Sequence, residues 1–285
     1  MATAERPSYF RVFLTIVRNS LVRDMSFRSN FLIECISSAS WILMNVGFYL
    51  LIFQFTDEIG KDTGWHKYQF FVFLATTMFV NSLVQAFFMP NAQEFSELIR
   101  TGNLDFALLK PIDTQFLISL HRIDWSALSN FLVGLLLLGF SLRKLAMADD
   151  PLTLHWFSFV AYPFYILCGI LILYSLMISL AATSIWLGRN QTLYNFWFYI
   201  TNFSRYPMEI YGGPYGTPMR QFFTFVIPVL IVVNVPARLL ALPLDFAQAS
   251  FWLLPAYAIV ATGFSLVASR WVFLRALASY RSASS

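Results

Sequence analysis

Six apolar stretches in this sequence are long enough, or nearly long enough, to cross a lipid bilayer as helices. A membrane-spanning helix needs about 20 predominantly apolar residues, because the hydrocarbon core offers no partner to an open backbone hydrogen-bonding group. The pattern therefore predicts an all-α, polytopic membrane protein with six transmembrane helices. The predicted spans are residues 31–55, 68–89, 120–142, 156–187, 219–235 and 250–272.

The composition excludes a soluble globular protein of this size. Of the 285 residues, 58% are hydrophobic and 12% are charged. A soluble chain has roughly a quarter of its residues charged, which covers its surface. Most of the mass lies in the six apolar stretches, so we expect a single membrane domain over residues 31–272 and no appended soluble domain.

The two ends of the chain carry their own predictions. In residues 1–30, apolar positions such as Phe10 and Leu21 share one helical face, and basic positions such as Arg11 lie on the other. This pattern is typical of an amphipathic helix that lies along a membrane surface. Residues 273–285 are predicted to form a short C-terminal tail.

The positions of the basic residues orient the chain across the membrane, because cytoplasmic segments carry an excess of lysine and arginine. If the N-terminus is inside, the basic residues left outside are Lys61, Lys67, Arg143, Lys144 and Arg238. Of the 19 lysines and arginines, 5 are then outside and 14 inside. This bias predicts an even number of spans, with both termini in the cytoplasm.

One further apolar segment competes for the role of a span. Residues 191–203 are strongly aromatic, but they number only 13 and are flanked by Arg189 and Arg205. A crossing here would add a seventh span and leave the basic C-terminal tail outside. The segment is therefore interpreted as a helix on the inner membrane surface.

Prolines interrupt the fifth predicted span and the residues after it. Pro228 lies within the span, Pro236 directly follows it, and Pro243 breaks the next apolar residues, close to Arg238. Irregular backbone at membrane depth is tolerated where protein or water surrounds it. These four residues predict a re-entrant outer gate between the fifth and sixth spans.

The sequence holds no motif for catalysis or for binding a nucleotide, a metal or a cofactor. It lacks the glycine-rich G-x-x-x-x-G-K-[ST] loop that cradles phosphates. His66, His121 and His155 are isolated from other metal-ligating residues. We therefore expect this chain to have no enzymatic activity, no cofactor, no metal site and no nucleic-acid partner.

A few polar side chains fall within the predicted spans, where burial of charge is costly and often functional. These residues are Glu34, Asn45, Asn81, Asp124 and Asn234. Glu34 and Asp124 lie near the inner ends of their spans, which favours structural pairing over a proton relay. The asparagines are interpreted as hydrogen-bond partners between helices or as the lining of a polar cavity.

The longest polar connection on the predicted inner side holds a short helix. Gly102 suits the end of the preceding helix, Asp105 is favourable in a first helical turn, and Pro111 ends the new helix. The residues predicted to act at this surface are Glu97, Arg100, Gly102, Leu104, Asp105, Leu108, Leu109, Lys110 and Pro111. Two interpretations remain open, a rigid connector and a docking element for a cytoplasmic partner.

Several short motifs follow one another along the whole chain. They are "FRSNF" at 27–31, "GNLDFALLKP" at 102–111, "FSRYPMEIY" at 203–211, "TFVIP" at 224–228 and "PA" at 236–237. Together and in this order they resemble a family of six-span permease subunits of type-two ABC exporters, related to the daunorubicin and viologen exporter permeases.

The resemblance implies an ATP-driven exporter in the bacterial cytoplasmic membrane. Two permease chains would pair, as a homodimer or a related heterodimer, and separate cytoplasmic ATPase subunits carrying ATP and Mg²⁺ would dock on their inner loops. Residues 102–111 would be the coupling helix, and the substrate a hydrophobic or cationic small molecule or a lipid-like one. A passive channel or a membrane assembly scaffold without ATP coupling is the alternative.

Overall fold

The secondary structure is helical throughout the part of the chain that the computed structural model describes, apart from one isolated β-bridge. The described residues are 8–60, 63–148, 155–187, 191–243 and 249–280. The helices are α1 (Tyr9–Ser26), α2 (Arg28–Ile52), α3 (Lys67–Phe87), α4 (Met89–Arg100), α5 (Leu104–Leu108), α6 (Thr114–Ser119), α7 (Leu128–Ala146), α8 (Trp156–Ala182), α9 (Ser184–Leu187), α10 (Gln191–Asn202), α11 (Gly213–Gln221), α12 (Leu230–Ala241) and α13 (Ala249–Ser279). Two 3₁₀ turns, Phe203–Arg205 and Met208–Ile210, follow α10, and a π turn, Phe222–Val226, continues α11.

Five helical stretches among the described residues are long and apolar enough to cross a membrane. They are Arg28–Ile52, Lys67–Arg100, Leu128–Ala146, Trp156–Leu187 and Phe251–Ser279. A further candidate is the pair Gly213–Val226 and Leu230–Ala241, whose members are bent by 93° at the break between them. These helices confirm the predicted all-α, polytopic membrane fold.

The third span begins later than predicted, because α7 starts only at Leu128. The Asp124 carboxylate accepts hydrogen bonds from the backbone N–H groups of Ser126 at 3.0 Å and Ala127 at 3.4 Å. Such local bonding offers the backbone an alternative to a helix. Asp124 therefore lies in the connection before the span and not inside it.

The last helix is longer than predicted. It continues to Ser279, so the first residues of the predicted 273–285 tail are helical. Phe273 is fully buried, and its ring lies 5.9 Å from the ring of Phe95 in α4. Ala276, one turn later, is also fully buried. Packing against α4 thus extends α13 beyond its most apolar part.

The centre of the bundle lies where α3, α8, α12 and α13 meet. Every residue of α12 except Arg238 is buried. Gly169 of α8 allows the close approach, since a Cβ atom at this position would lie 2.7 Å from the carbonyl oxygen of Val232. Small residues permit such contacts between helices in membranes.

Residues 191–211 run along the bundle from one end to the other. Near their start, Trp197 lines a groove together with Met89 of α4, towards the predicted inner end. Near their finish, Glu209 accepts a hydrogen bond of 2.9 Å from the indole N–H of Trp65, which precedes α3 at the predicted outer end. The prediction of an inner-surface helix for this aromatic segment is therefore wrong. Since α10 has only 12 residues and 3₁₀ turns complete the path, no long apolar stretch marks the crossing.

The proline-broken segment is a hairpin that turns back inside the bundle. Pro228 lies in the turn between the π turn and α12, where the 93° bend occurs. From there α12 returns to the outer end. Leu242, directly after α12, is a neighbour of Gly64 in the outer loop, since a Cβ atom on Gly64 would lie 3.7 Å from the Leu242 side chain. Residues 219–235 are thus part of this hairpin and not a straight fifth span. Pro236, predicted to break the helix, lies inside α12.

Candidate functional site

The short helix α5 is fixed to the inner end of the bundle on one side. Gly102 connects α4 to it with a φ of +73°, a left-handed conformation that side chains other than glycine adopt at a cost. Leu104 is fully buried in one cluster with Phe95 of α4 and Phe273 of α13. The beginning of α5 therefore cannot move independently of these two long helices.

The other side of α5 is an exposed apolar ridge, formed by Phe106, Leu108 and Leu109. Their exposed fractions are 68%, 40% and 80%. From the sequence, Leu104, Leu108 and Leu109 were predicted to act together at this surface. The structure divides that set, because Leu104 faces the bundle, and it adds Phe106, whose exposure no sequence signal indicated.

Charged residues flank the exposed ridge. Before it, Arg100 donates a hydrogen bond of 2.8 Å to Glu97 of the same helix, and both side chains are exposed. After it, Lys110 and Pro111 are exposed at the end of α5. The ridge is therefore an apolar surface with a polar border.

Asp105, in the first turn of α5, lies beside the end of α13. Burial raises the pKa of the Tyr280 hydroxyl, and the neighbouring Asp105 carboxylate raises it further. At the same place, the indole N–H of Trp186 donates a hydrogen bond of 2.5 Å to the hydroxyl of Ser279. The end of α13 thus contacts both α5 and the end of the fourth span.

An ion pair ties the segment after α5 to α13. Arg270 donates two hydrogen bonds to the carboxylate of Asp113, Nη2 to Oδ2 at 2.5 Å and Nη1 to Oδ1 at 3.1 Å. Burial would raise the pKa of Asp113, but the bonds from Arg270 and from the backbone of Phe116 lower it below its ordinary value. An aspartate directly before α6 is a sequence signal for a helix cap. No local signal, however, indicates that Arg270 is the ion-pair partner of Asp113.

The N-terminal helix α1 contacts the same inner elements. The backbone N–H of Asp113 donates to the hydroxyl of Tyr9 at 3.3 Å. Ser20 is buried, and its hydroxyl accepts a hydrogen bond of 3.1 Å from the backbone of Ile123, between α6 and α7. A helix, α1, covers most of the segment predicted to lie along the membrane surface, and these polar contacts hold it against the residues before α6 and α7.

A buried asparagine that the sequence analysis missed fixes the connection between α6 and α7. Asn91 of α4 donates to the carbonyl oxygens of Ser119 at 3.0 Å and Arg122 at 2.7 Å. Its own side-chain oxygen accepts from the backbone N–H of Arg122 at 2.8 Å. An asparagine in an ordinary helical stretch does not indicate such contacts with a distant loop.

At the outer end, polar contacts hold α12 against the crossing segment. Arg238 forms an ion pair with Glu209, which also accepts the hydrogen bond from Trp65. One turn earlier, the Asn234 side chain accepts a hydrogen bond of 2.8 Å from the backbone N–H of Met208. Asn234 therefore links two segments, and Arg238 and Pro243 share the lining of a cavity of about 120 Å³.

Two of the predicted intramembrane polar residues bond within their own helix. The amide of Asn30 donates to the carboxylate of Glu34 at 2.7 Å, and the amide of Asn45 donates to the carbonyl oxygen of Trp41 at 2.8 Å. Both bonds lie within α2. Neither Glu34 nor Asn45 links helices in the described part of the chain.

A polar groove of about 320 Å³ lies between α3–α4 and the crossing segment. Among its lining residues are Asn81, Gln85, Gln93, Asp124, Trp197 and Arg205. The groove brings Asn81 and Asp124 together, although the sequence placed them in different spans. It also adds two glutamines and an arginine that the sequence analysis did not assign to any site.

Comparison with known proteins identifies a family for most of the chain. The model of a family described as ABC-2 family transporter protein matches residues 39–284. The match begins within α2 and includes the exposed ridge, the polar groove and the proline-broken hairpin. No curated protein matches the chain. No solved structure matches it.

Proposed function

Because the chain belongs to the ABC-2 transporter family, we propose that it is the membrane-spanning permease subunit of an ATP-driven exporter. It is a multi-pass membrane protein and a transporter subunit that is not itself catalytic. Permeases of this family generally pair with a cytoplasmic ATPase subunit. In the proposed complex that subunit carries ATP and Mg²⁺, and the permease binds no cofactor.

The observation that carries the proposal is the two-sided character of α5. Leu104 fixes it to α4 and α13, while Phe106 and Leu109 expose apolar surface at the inner end. Burial of apolar surface against a partner contributes a favourable free energy of about 25 cal/mol per Å². A helix that is rigid on one side and apolar on the other is suited to dock in a cleft and to transmit movement to both long helices.

Further partners follow from the same proposal. A second permease chain, identical or related, completes the transporter, and the bilayer covers the remaining apolar surface. In α2 only Ile42 is buried, so most of that helix is available to lipid or to the second chain. The proposed location is the bacterial cytoplasmic membrane, with both termini in the cytoplasm, as the excess of basic residues on the inner side supports even with Arg220 placed after the crossing segment.

The charge inversion Asp105→Lys tests the docking. A like-charge contact at an interface costs several kcal/mol, far more than the roughly 0.5 kcal/mol of an ordinary surface change. In the complete complex, ATP hydrolysis and transport should fall sharply, and crosslinking from Leu108 to the ATPase should weaken. The mutant should still insert, because the spanning helices are unchanged.

Two control variants separate docking from other effects. Asp57→Lys inverts an exposed charge in the loop after α2 and should leave crosslinking unchanged. Tyr280→Phe removes the hydroxyl beside Asp105 without adding charge. If the Asp105 variant kept full transport and crosslinking, residues 102–111 would be only a connector, and a passive channel or an assembly scaffold would be favoured.

A further inference from the structure

The polar groove lies between two walls that are mostly helical. The polar residues of the first wall, on α3 and α4, are Asn81, Gln85 and Gln93. The second wall has Trp197 and Thr201 of α10 and Arg205 of the following 3₁₀ turn, which are four residues apart. Side chains four residues apart lie on one face of a helix. The groove is therefore where two helical faces meet, one of carboxamides and one of aromatic and cationic side chains.

The carboxamides of the first wall are available to a ligand. Asn81, Gln85 and Gln93 form no side-chain hydrogen bond with any described residue. Asn81 and Gln85 lie within a helix that is long and apolar enough to span the membrane. Polar groups at that depth are costly unless a water-filled cavity or a ligand satisfies them.

Arg205 directs its charge into the groove. Its guanidinium carbon lies 5.6 Å from the centre of the Phe198 ring, and Phe198 is seven residues nearer the inner end. The side chain is exposed and extends along the groove, back towards the start of α10. Arg205 forms no ion pair with a carboxylate in the described part of the chain.

The carboxylate of Asp124 in the groove is already engaged. Its Oδ1 atom accepts hydrogen bonds from the hydroxyl of Ser126 at 2.6 Å, from the Ser126 backbone at 3.0 Å and from the Ala127 backbone at 3.4 Å. It also lies at the start of α7, where the helix dipole favours negative charge. These donors leave the charge of Asp124 in place but hold its carboxylate within its own loop, whereas the Arg205 guanidinium has no hydrogen-bond acceptor among the described residues.

We propose that the polar groove is the substrate site of the exporter and that it takes organic anions. A carboxylate, phosphate or sulfonate group would pair with Arg205 and the free carboxamides, because guanidinium groups bind such anions through two hydrogen bonds. The apolar body of the solute would lie against Trp197 and Phe198. The inference rests on the proposed export function and replaces the expectation of a cationic substrate, since Arg205 is free to pair with a ligand while the Asp124 carboxylate is hydrogen-bonded in its own loop.

Binding of matched probes to the full-length chain in lipid nanodiscs tests the proposal. Three naphthalene compounds with the same short chain end in a carboxylate, an ammonium group or a hydroxyl group, and equilibrium dialysis gives their Kd values. The carboxylate probe should bind about tenfold more tightly than the ammonium probe, the difference expected of one charge-assisted contact. Arg205→Gln should abolish that preference, Arg205→Lys should retain part of it, and Arg220→Gln on α11 should leave it unchanged.

A second variant keeps the test independent of misfolding at position 205. Gln85→Glu preserves side-chain size and adds a carboxylate to the same groove. It should therefore weaken binding of the carboxylate probe but not binding of the hydroxyl probe. Equal binding of the carboxylate and ammonium probes, or an unchanged preference in Arg205→Gln, would overturn the proposal. The binding assay contains no ATPase, so a negative result in it would not contradict the docking of α5. Conversely, a failure of docking in the crosslinking experiment would not contradict anion binding in the groove.

Discussion

The guanidinium of Arg270 and the carboxylate of Asp113 meet through two hydrogen bonds, of 2.5 and 3.1 Å, although 157 residues separate them in the chain. Asp113 follows Pro111, where the exposed ridge ends, and Arg270 lies in the last long helix. The same Nη1 atom of Arg270 also donates to Gln115 at 3.0 Å. Movement of the inner-face segment is therefore linked directly to α13.

Removal of the ion pair between Asp113 and Arg270 should lower the stability of the folded protein, and the size of this loss should depend on pH. Because both side chains are partly exposed, at 42% and 32%, Asp113→Asn should cost only about 1 kcal/mol. The pKa of Asp113 is lowered in the folded protein, so the ionised contact stabilises above the ordinary aspartate pKa and is lost as the pH falls through the lowered value. The Tm difference from the wild type should be largest near neutral pH and shrink in acid.

The control for that prediction is Asp57→Asn, which changes an exposed aspartate in the loop after α2. Its Tm should follow the wild type at every pH, as measured by intrinsic fluorescence in detergent. A constant Tm difference between Asp113→Asn and the wild type across the acidic range would show that the carboxylate charge does not stabilise this segment.

The contact between α8 and α12 should not tolerate a methyl group. In Gly169→Ala the new Cβ atom would lie 2.7 Å from the carbonyl oxygen and 2.9 Å from a side-chain carbon of Val232. Overpacking of this kind costs about 1–3 kcal/mol, so the Tm in detergent should fall by several degrees. Gly263→Ala, which meets no atom within 4 Å, should leave the Tm unchanged or raise it slightly.

The left-handed residue before α5 should be sensitive to side-chain shape. Gly102→Val should strain the connection by about 1–2 kcal/mol and displace the exposed ridge. Gly102→Asn should be milder, since asparagine tolerates this conformation better. Crosslinking yield from Leu108 to the ATPase measures the effect, and equal yields from all three proteins would show that the ridge does not depend on this turn.

Cysteine labelling from the outside tests the path of the chain, in a background without the two native cysteines. Positions 62, 149 and 212 should be labelled, and positions 105 and 284 should be protected. Position 212 follows the crossing segment at the level of Glu209 and Trp65, whereas an inner-surface helix would leave it protected. Labelling at position 284 would contradict the arrangement with both termini inside.

The features that local chemistry controls were predictable from the sequence. Hydrophobic length indicates α2, α3 and α8, because a span must satisfy its backbone within one apolar helix. The short helix after Gly102 was predictable too, since a glycine stop, an aspartate in the first turn and a proline end are local signals. Such signals have a limit at Asn103, where an asparagine directly before a helix commonly caps it, yet its side chain forms no capping hydrogen bond with α5.

The sequence by itself determined that this chain is a multi-pass helical membrane protein with a short helix between Gly102 and Pro111. Only the tertiary structure decided that residues 191–211 cross the bundle, that Leu104 faces inward and that Arg205 lies in a polar groove. Trp65 and Glu209, which mark the crossing, are 144 residues apart. Hydrophobic length and turn chemistry act between neighbours in the chain, whereas burial and ion pairing depend on which distant helix lies alongside.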